Sequence, residues 1–209
     1  MLSSVGAWGW RHPEWLQDVF YPDDLPSDWQ LSYYSNEFDL VVVPAAYWSA
    51  QGYGDEDWLD EVEEDFVFYI DWPFLQLLDQ ADYLKCAEAC HQLGRQMAAV
   101  LVNNEVWQQL GSEQKDWFKA VSEDFTVLQY GANGIAGYAF AADDQAQIRG
   151  ENILLLHTDH SENLRDLSRR LTHLLSSSPT AHIVLANDGP EMQRLQELKT
   201  VMGLLAAPV

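Results

Sequence analysis

The feature that most constrains this chain is an alternation along its length. Short apolar runs recur at residues 2–7, 39–43, 66–70, 97–102, 125–130, 152–157 and 182–186. Amphipathic or turn-rich stretches separate them. Continuous apolar runs of this length read as strands buried on both faces, and the stretches between them as crossover helices, which together describe a parallel sheet. Helical patterns are predicted at 55–64, 75–93, 112–121, 162–175 and 191–201, and a shorter one carries Trp29, Leu31 and Tyr34 with Ser27 or Asp28 as its cap. Gly94 stands where the second long helix should stop. An eighth run, Tyr138-Ala139-Phe140, is weak and has no full-length helix on either side.

The predicted fold class is therefore α/β: a TIM-type (β/α)8 barrel formed by residues 1–209 as one domain, incomplete or irregular around the fifth to sixth units. Such barrels typically take about 250 residues, so this one is compressed. The competing architecture is an open doubly wound sheet. No glycine-rich phosphate-binding motif follows a strand.

Charge narrows the partners. The formal net charge is -22, with 33 acidic residues against 11 lysines and arginines. Arg165, Arg169 and Arg170 form the densest basic cluster, and Asp166 lies inside it. A field of this sign repels nucleic acid and anionic lipid, so neither is an expected partner. The acidity reads as a solvated surface, or as a face that docks a cationic partner. No run is long enough to span a bilayer, and the first residues lack the basic region of a signal peptide. Cys86 and Cys90 sit four apart in a helical pattern and read as buried free thiols. A cytoplasmic location is expected.

The chemistry-bearing stretch is Val5-Gly6-Ala7-Trp8-Gly9-Trp10-Arg11-His12-Pro13-Glu14-Trp15. Rings and ionisable groups gathered just after a strand are suited to a barrel mouth. The alternative is a Trp-rich plug closing one end of the core. This opening, followed by Phe20-Tyr21-Pro22, Leu25-Pro26, Tyr33-Tyr34 and Phe38, resembles the YecE-like family (domain of unknown function 72). Trp58, Phe66-Val67-Phe68 and the run ending at Asn187-Asp188 resemble its later elements. The resemblance implies a TIM-type barrel and supplies no reaction. It also marks this chain as divergent and shortened. Val42, Pro44 and Ala46 stand where the family carries a carboxylate, an amide and a hydroxyl, Asp71 where it carries a lysine, and Leu155 where it carries an arginine. Such replacements remove proton donors, acceptors and fixed charges.

The expected function is thus a non-catalytic relative that binds a small ligand or a protein partner, without a cofactor, at a mouth formed by Trp8, Trp10, Arg11, Tyr47, Trp48 and Asn187. Arg11, His12 and Glu14 read as a clamp for an anionic ligand, as a surface loop, or as an arginine stacked on Trp8 or Trp10. Asn103, Asn104 and Glu105 read as a polar site at a strand end, or Asn104 as the cap of a short helix. The alternative function is a metal-assisted hydrolase, with His157, Asp159 and His160 holding Zn or Mn together with Glu105, Asp71 or Asp188. Against that stands a plainer reading in which Asp159 or Ser161 caps the next helix and His160 faces solvent.

Overall fold

A computed structural model describes residues 4–50, 58–131, 138–141, 153–159, 161–177, 182–187 and 189–206, without the side chains of 48–50, 138–141, 177 and 206. The strands are β1 (Ser4–Trp8), β2 (Leu40–Val43), β3 (Val67–Asp71), β4 (Met97–Asn103), β5 (Val127–Tyr130), β6 (Tyr138–Ala141), β7 (Ile153–Leu156) and β8 (His182–Leu185). The helices are α1 (Gln30–Ser35), α2 (Ala45–Ala50), α3 (Gln80–Leu93), α4 (Asn104–Gln109), α5 (Ser112–Val121), α6 (Leu164–Ser177) and α7 (Met192–Ala206).

The order from β7 through β8 and β1 to β5 is a curled, seven-stranded parallel sheet. β6 closes the ring between β5 and β7, antiparallel to both, through two residue pairs on each side. This departs from eight β/α units, and chain length explains it. Seven residues (131–137) separate β5 from β6, and eleven (142–152) separate β6 from β7. A parallel crossover needs a dozen or more. The sixth strand therefore returns antiparallel.

Two apolar layers arise from the period of two along each strand. Outward residues such as Val41, Phe68, Ile70, Val100, Leu154 and Ile183 join the core under the helices. Inward residues such as Leu40, Val42, Leu101, Leu128, Leu155 and Val184 fill the barrel. Val42 and Leu155, two of the apolar replacements noted in the sequence, thus lie inside it.

The N-terminal aromatic motif forms part of the outer core. Trp15 stacks on Tyr34 at 6.0 Å, and its indole N–H donates to the Pro190 carbonyl at 2.5 Å. The Tyr21 hydroxyl donates to the Trp10 carbonyl at 2.6 Å. The Tyr34 hydroxyl accepts from the Ala7 amide at 2.8 Å and donates to the Leu40 carbonyl at 3.0 Å, which fastens β1 to β2. Gly6 permits that close approach: a Cβ there would lie 2.0 Å from the Leu40 carbonyl oxygen. The motif read for family resemblance is, physically, a set of buried rings and hydroxyl ties.

Some helix boundaries differ from those the pattern predicts. α3 starts at Gln80, because the Asp79 side chain accepts from the Asp82 amide; in the chain before it Leu75 and Leu78 are exposed while Leu77 is buried. Within the predicted helix at 55–64, residues 55–57 lie outside the described residues. The chain then forms a 3-10 turn, Trp58–Glu61, with Trp58 buried and Leu59 exposed. α1 comes after a 3-10 turn at Ser27–Trp29, and neither Ser27 nor Asp28 caps it through a side chain.

Candidate functional site

The inward period of two ends, strand by strand, at the carboxyl-terminal mouth. Tyr69 faces into the barrel, and two residues on, Asp71 ends β3. Leu101 leads likewise to Asn103 on β4, and Leu128 to Tyr130 on β5. Trp8 ends β1 and packs on the inner core with Tyr130. The four side chains form one group. The Tyr130 hydroxyl donates to Asp71 Oδ1 at 2.9 Å, and the Ala45 amide donates to Asp71 Oδ2 at 3.2 Å. The Asn103 side chain also bonds Tyr130, while its Oδ1 accepts from the Glu105 and Val106 amides, so that Asn103 caps α4 and the expected cap, Asn104, is its first helical residue. Trp8 meets Tyr130 edge-on, ring centroids 5.5 Å apart, across the barrel from β1 to β5.

All four residues are partly exposed. Burial pushes Asp71 up from its ordinary 3.8 to about 6, against the pull of the Tyr130 and Ala45 hydrogen bonds. Burial and the neighbouring Asp71 push the Tyr130 phenol far up, so it stays a donor. Among the described residues, no lysine, arginine or histidine pairs with Asp71. The group therefore offers a carboxylate that titrates near neutrality, a phenol, an amide and two ring faces.

Sequence reading named Trp8 and Asn103 and gave Asp71 only as a further metal ligand. It missed Tyr130. The available signal was parity: the polar or aromatic residue two places past an inward aliphatic or aromatic, at the end of three consecutive strands.

The other expected ligand-binding residues lie elsewhere. Trp10 is fully buried in the outer core, edge-on to Tyr47 at 5.0 Å and to Trp58 at 5.7 Å. Arg11 lies over both the Trp10 and Tyr47 rings, at 5.5 and 5.7 Å, and its amide donates to the Tyr47 hydroxyl at 2.9 Å. His12 packs against Trp15 at 4.4 Å, and its Nε2 is 3.1 Å from the Trp8 carbonyl. Trp48 is in α2, but its side chain lies outside the described residues. The cluster of Trp10, Arg11 and Tyr47 is a packed unit beside the mouth.

Asn187 clasps the loop after β7. Its Oδ1 accepts from the Thr158 amide at 2.9 Å and its Nδ2 donates to the Thr158 carbonyl at 2.8 Å. Arg170 donates to the His157 carbonyl at 3.1 Å and pairs with Glu162 at 2.8 Å. Arg194 donates to the Glu162 carbonyl at 2.7 Å. Asp159 Oδ1 accepts from the Ser161 amide and hydroxyl at 2.7 and 2.6 Å within the loop, but neither residue caps α6 as expected: Asn163 does, its Oδ1 accepting from the Arg165 and Asp166 amides at 3.0 Å. His157 is exposed, and His160 and Asp188 lie outside the described residues. Glu105 is exposed on α4. Asn187 thus holds the loop that carries His157, while Arg11 packs on the Trp10 and Tyr47 rings. Among the described residues, no group of three or more His, Cys, Asp or Glu could hold a metal ion. Cys86 and Cys90 are buried free thiols on α3. Among the described residues, no helix is long and apolar enough to cross a membrane.

Residues 4–102 match the family model described as "Protein of unknown function DUF72". No curated protein matches the chain. The fold is similar to a DUF72 family protein from Enterococcus faecalis V583, with a TM-score of 0.57 at 9% identity over 96% of this chain and 95% of that one. It is similar also to a DUF72 family protein from Thermotoga maritima MSB8, with a TM-score of 0.52 at 11% identity over 99% of this chain and 100% of that one.

Proposed function

We propose that this chain, a DUF72 family member by its residues 4–102, is a small-ligand-binding protein without the acid–base chemistry of an enzyme. The architecture is read as a TIM-type barrel whose sixth unit is reversed, and the ligand sits at its mouth. The observation that carries this reading is the composition of the inward face. Val42, Leu101, Leu128, Leu155 and Val184 line the barrel interior with aliphatic side chains, and the Tyr69 phenol, also inward, bonds the His182 ring at the amino-terminal end of β8. Above them, Asp71, Asn103 and Tyr130 are tied to one another or to backbone, with Trp8 against the phenol. Ligand sites of this kind combine apolar and aromatic walls with a few fixed polar groups. Among the described residues the mouth group holds one carboxylate, paired to a phenol that remains protonated, which suits fixing a ligand more than relaying protons.

The expected ligand-binding set is thereby revised to Trp8, Asp71, Asn103 and Tyr130, with Trp10, Arg11 and Tyr47 packing beside it. A thermal-shift panel of small polar aromatic compounds tests the reading. At least one compound should raise the melting temperature of the native protein, and Trp8→Ala should abolish that rise. A stabilising compound whose effect survives Trp8→Ala would place the site elsewhere.

A further inference from the structure

We infer that the mouth selects an organic ammonium ion, with Asp71 as its counter-ion and the Trp8 and Tyr130 rings as its walls. The inference rests on the mouth being the ligand site, and adds the ligand's charge.

Three observations converge. First, the Asp71 carboxylate accepts one hydrogen bond at each oxygen, from Tyr130 and from the Ala45 amide. A carboxylate has about four acceptor positions, so each oxygen retains one. An ammonium group has three donors and no acceptor, and fits those positions where a carbonyl or carboxylate does not. Second, no basic side chain among the described residues fills this role. A partly buried carboxylate without a cationic partner gains from a ligand that brings one. Third, the Trp8 and Tyr130 rings meet edge to face, 5.5 Å and 65° apart, and Tyr130 touches the carboxylate directly. The two rings therefore stand beside Asp71, and an ammonium held there that lies over either face is attracted to it. The net charge of -22 raises the local concentration of any such ligand.

Benzylammonium and benzyl alcohol, matched in shape and differing in charge, separate the contributions in a calorimetric titration at pH 7.5. The native protein should bind benzylammonium at least tenfold more tightly than the alcohol. Asp71→Asn should remove that preference, the two compounds then binding with affinities within twofold of each other. Should Asp71→Asn misfold, the native protein supplies a second measurement: the preference should fall at least fivefold between pH 7.5 and pH 5, as Asp71 takes up its proton at about 6, and a preference unchanged over that range would overturn the inference. The preference should persist in 0.5 M NaCl, which screens general attraction to an acidic surface. Equal affinity for both compounds would overturn the inference yet leave the mouth as a ligand site. A preference that survives Asp71→Asn or vanishes in salt would assign it to surface charge and overturn the inference. Binding of neither compound would overturn it as well, and the thermal-shift panel then decides the wider reading on its own.

Discussion

The phenol of Tyr130, at the end of β5, donates to Oδ1 of Asp71, at the end of β3, over 2.9 Å. The bond passes over the intervening strand β4, whose last residue, Asn103, also bonds the phenol. Burial outweighs this donor and the Ala45 amide, and lifts Asp71 to about 6. The folded protein thus holds this proton more tightly than the unfolded chain does. Stability contributed by protonated Asp71 is therefore fully present below the ordinary value of 3.8 and is lost as pH rises through about 6. Tyr130 is the titratable side chain in contact with it, and stays protonated across that window. Relative to Asp71→Asn, the wild type should lose roughly 2 kcal/mol of unfolding free energy between pH 4 and pH 7, after discounting for partial exposure. Urea melts of both proteins across that range measure the difference, and a flat difference would show that Asp71 is solvated.

Gly6 should tolerate no side chain. A Cβ there would meet the Leu40 carbonyl carbon at 2.8 Å as well as its oxygen at 2.0 Å, and both are backbone atoms fixed by the β1–β2 pairing. Gly6→Ala should cost about 3 kcal/mol or more, the upper range of overpacking. Chemical denaturation measures it. A loss under about 1 kcal/mol, the lower end of that range, would mean that β1 and β2 are further apart than described.

Trp8 and Trp10 are two residues apart and should behave differently. Trp10 is fully buried among Tyr47 and Trp58, so Trp10→Ala should cost about 3–5 kcal/mol. Trp8 keeps part of its ring exposed, so Trp8→Ala should cost about 1–2 kcal/mol while removing ligand binding. Equal stability losses would contradict the division between packing and mouth.

Asn187 should matter for order in the loop after β7. Asn187→Ala removes both bonds to the Thr158 backbone and should cost about 1–2 kcal/mol. The Thr158 amide should exchange with solvent at least tenfold faster in native-state hydrogen exchange. Unchanged protection at Thr158 would mean that Arg170 and Arg194 hold the loop without it.

The scaffold was largely legible because apolar runs mark strands directly: the run at 182–186 becomes His182–Leu185, and that at 97–102 becomes Met97–Asn103. The reversal of β6 was readable only as a weakness of pattern around Tyr138, although the short stretches on either side already forbid parallel crossovers. The mouth was less legible, since alternation along a strand ends where the strand ends. After Trp8 the chain turns at Gly9, with φ of +85°, and Trp10 leaves for the outer core. A tryptophan two residues later on a continuing strand would have shared Trp8's face. Asp71 and Tyr130 are distant in sequence, and only the barrel brings them together.

The division of the tryptophans also offers the most direct test of where a ligand binds. The chain has nine tryptophans, and 5-fluorotryptophan labelling gives each a fluorine resonance, with Trp8 and Trp10 assigned by single replacement with phenylalanine. Titrating a stabilising compound from the thermal-shift panel should move the Trp8 resonance progressively to saturation and leave Trp10 in place. Movement of Trp10 with Trp8 unchanged would contradict the account and return the site to the cluster beside Arg11 and Tyr47.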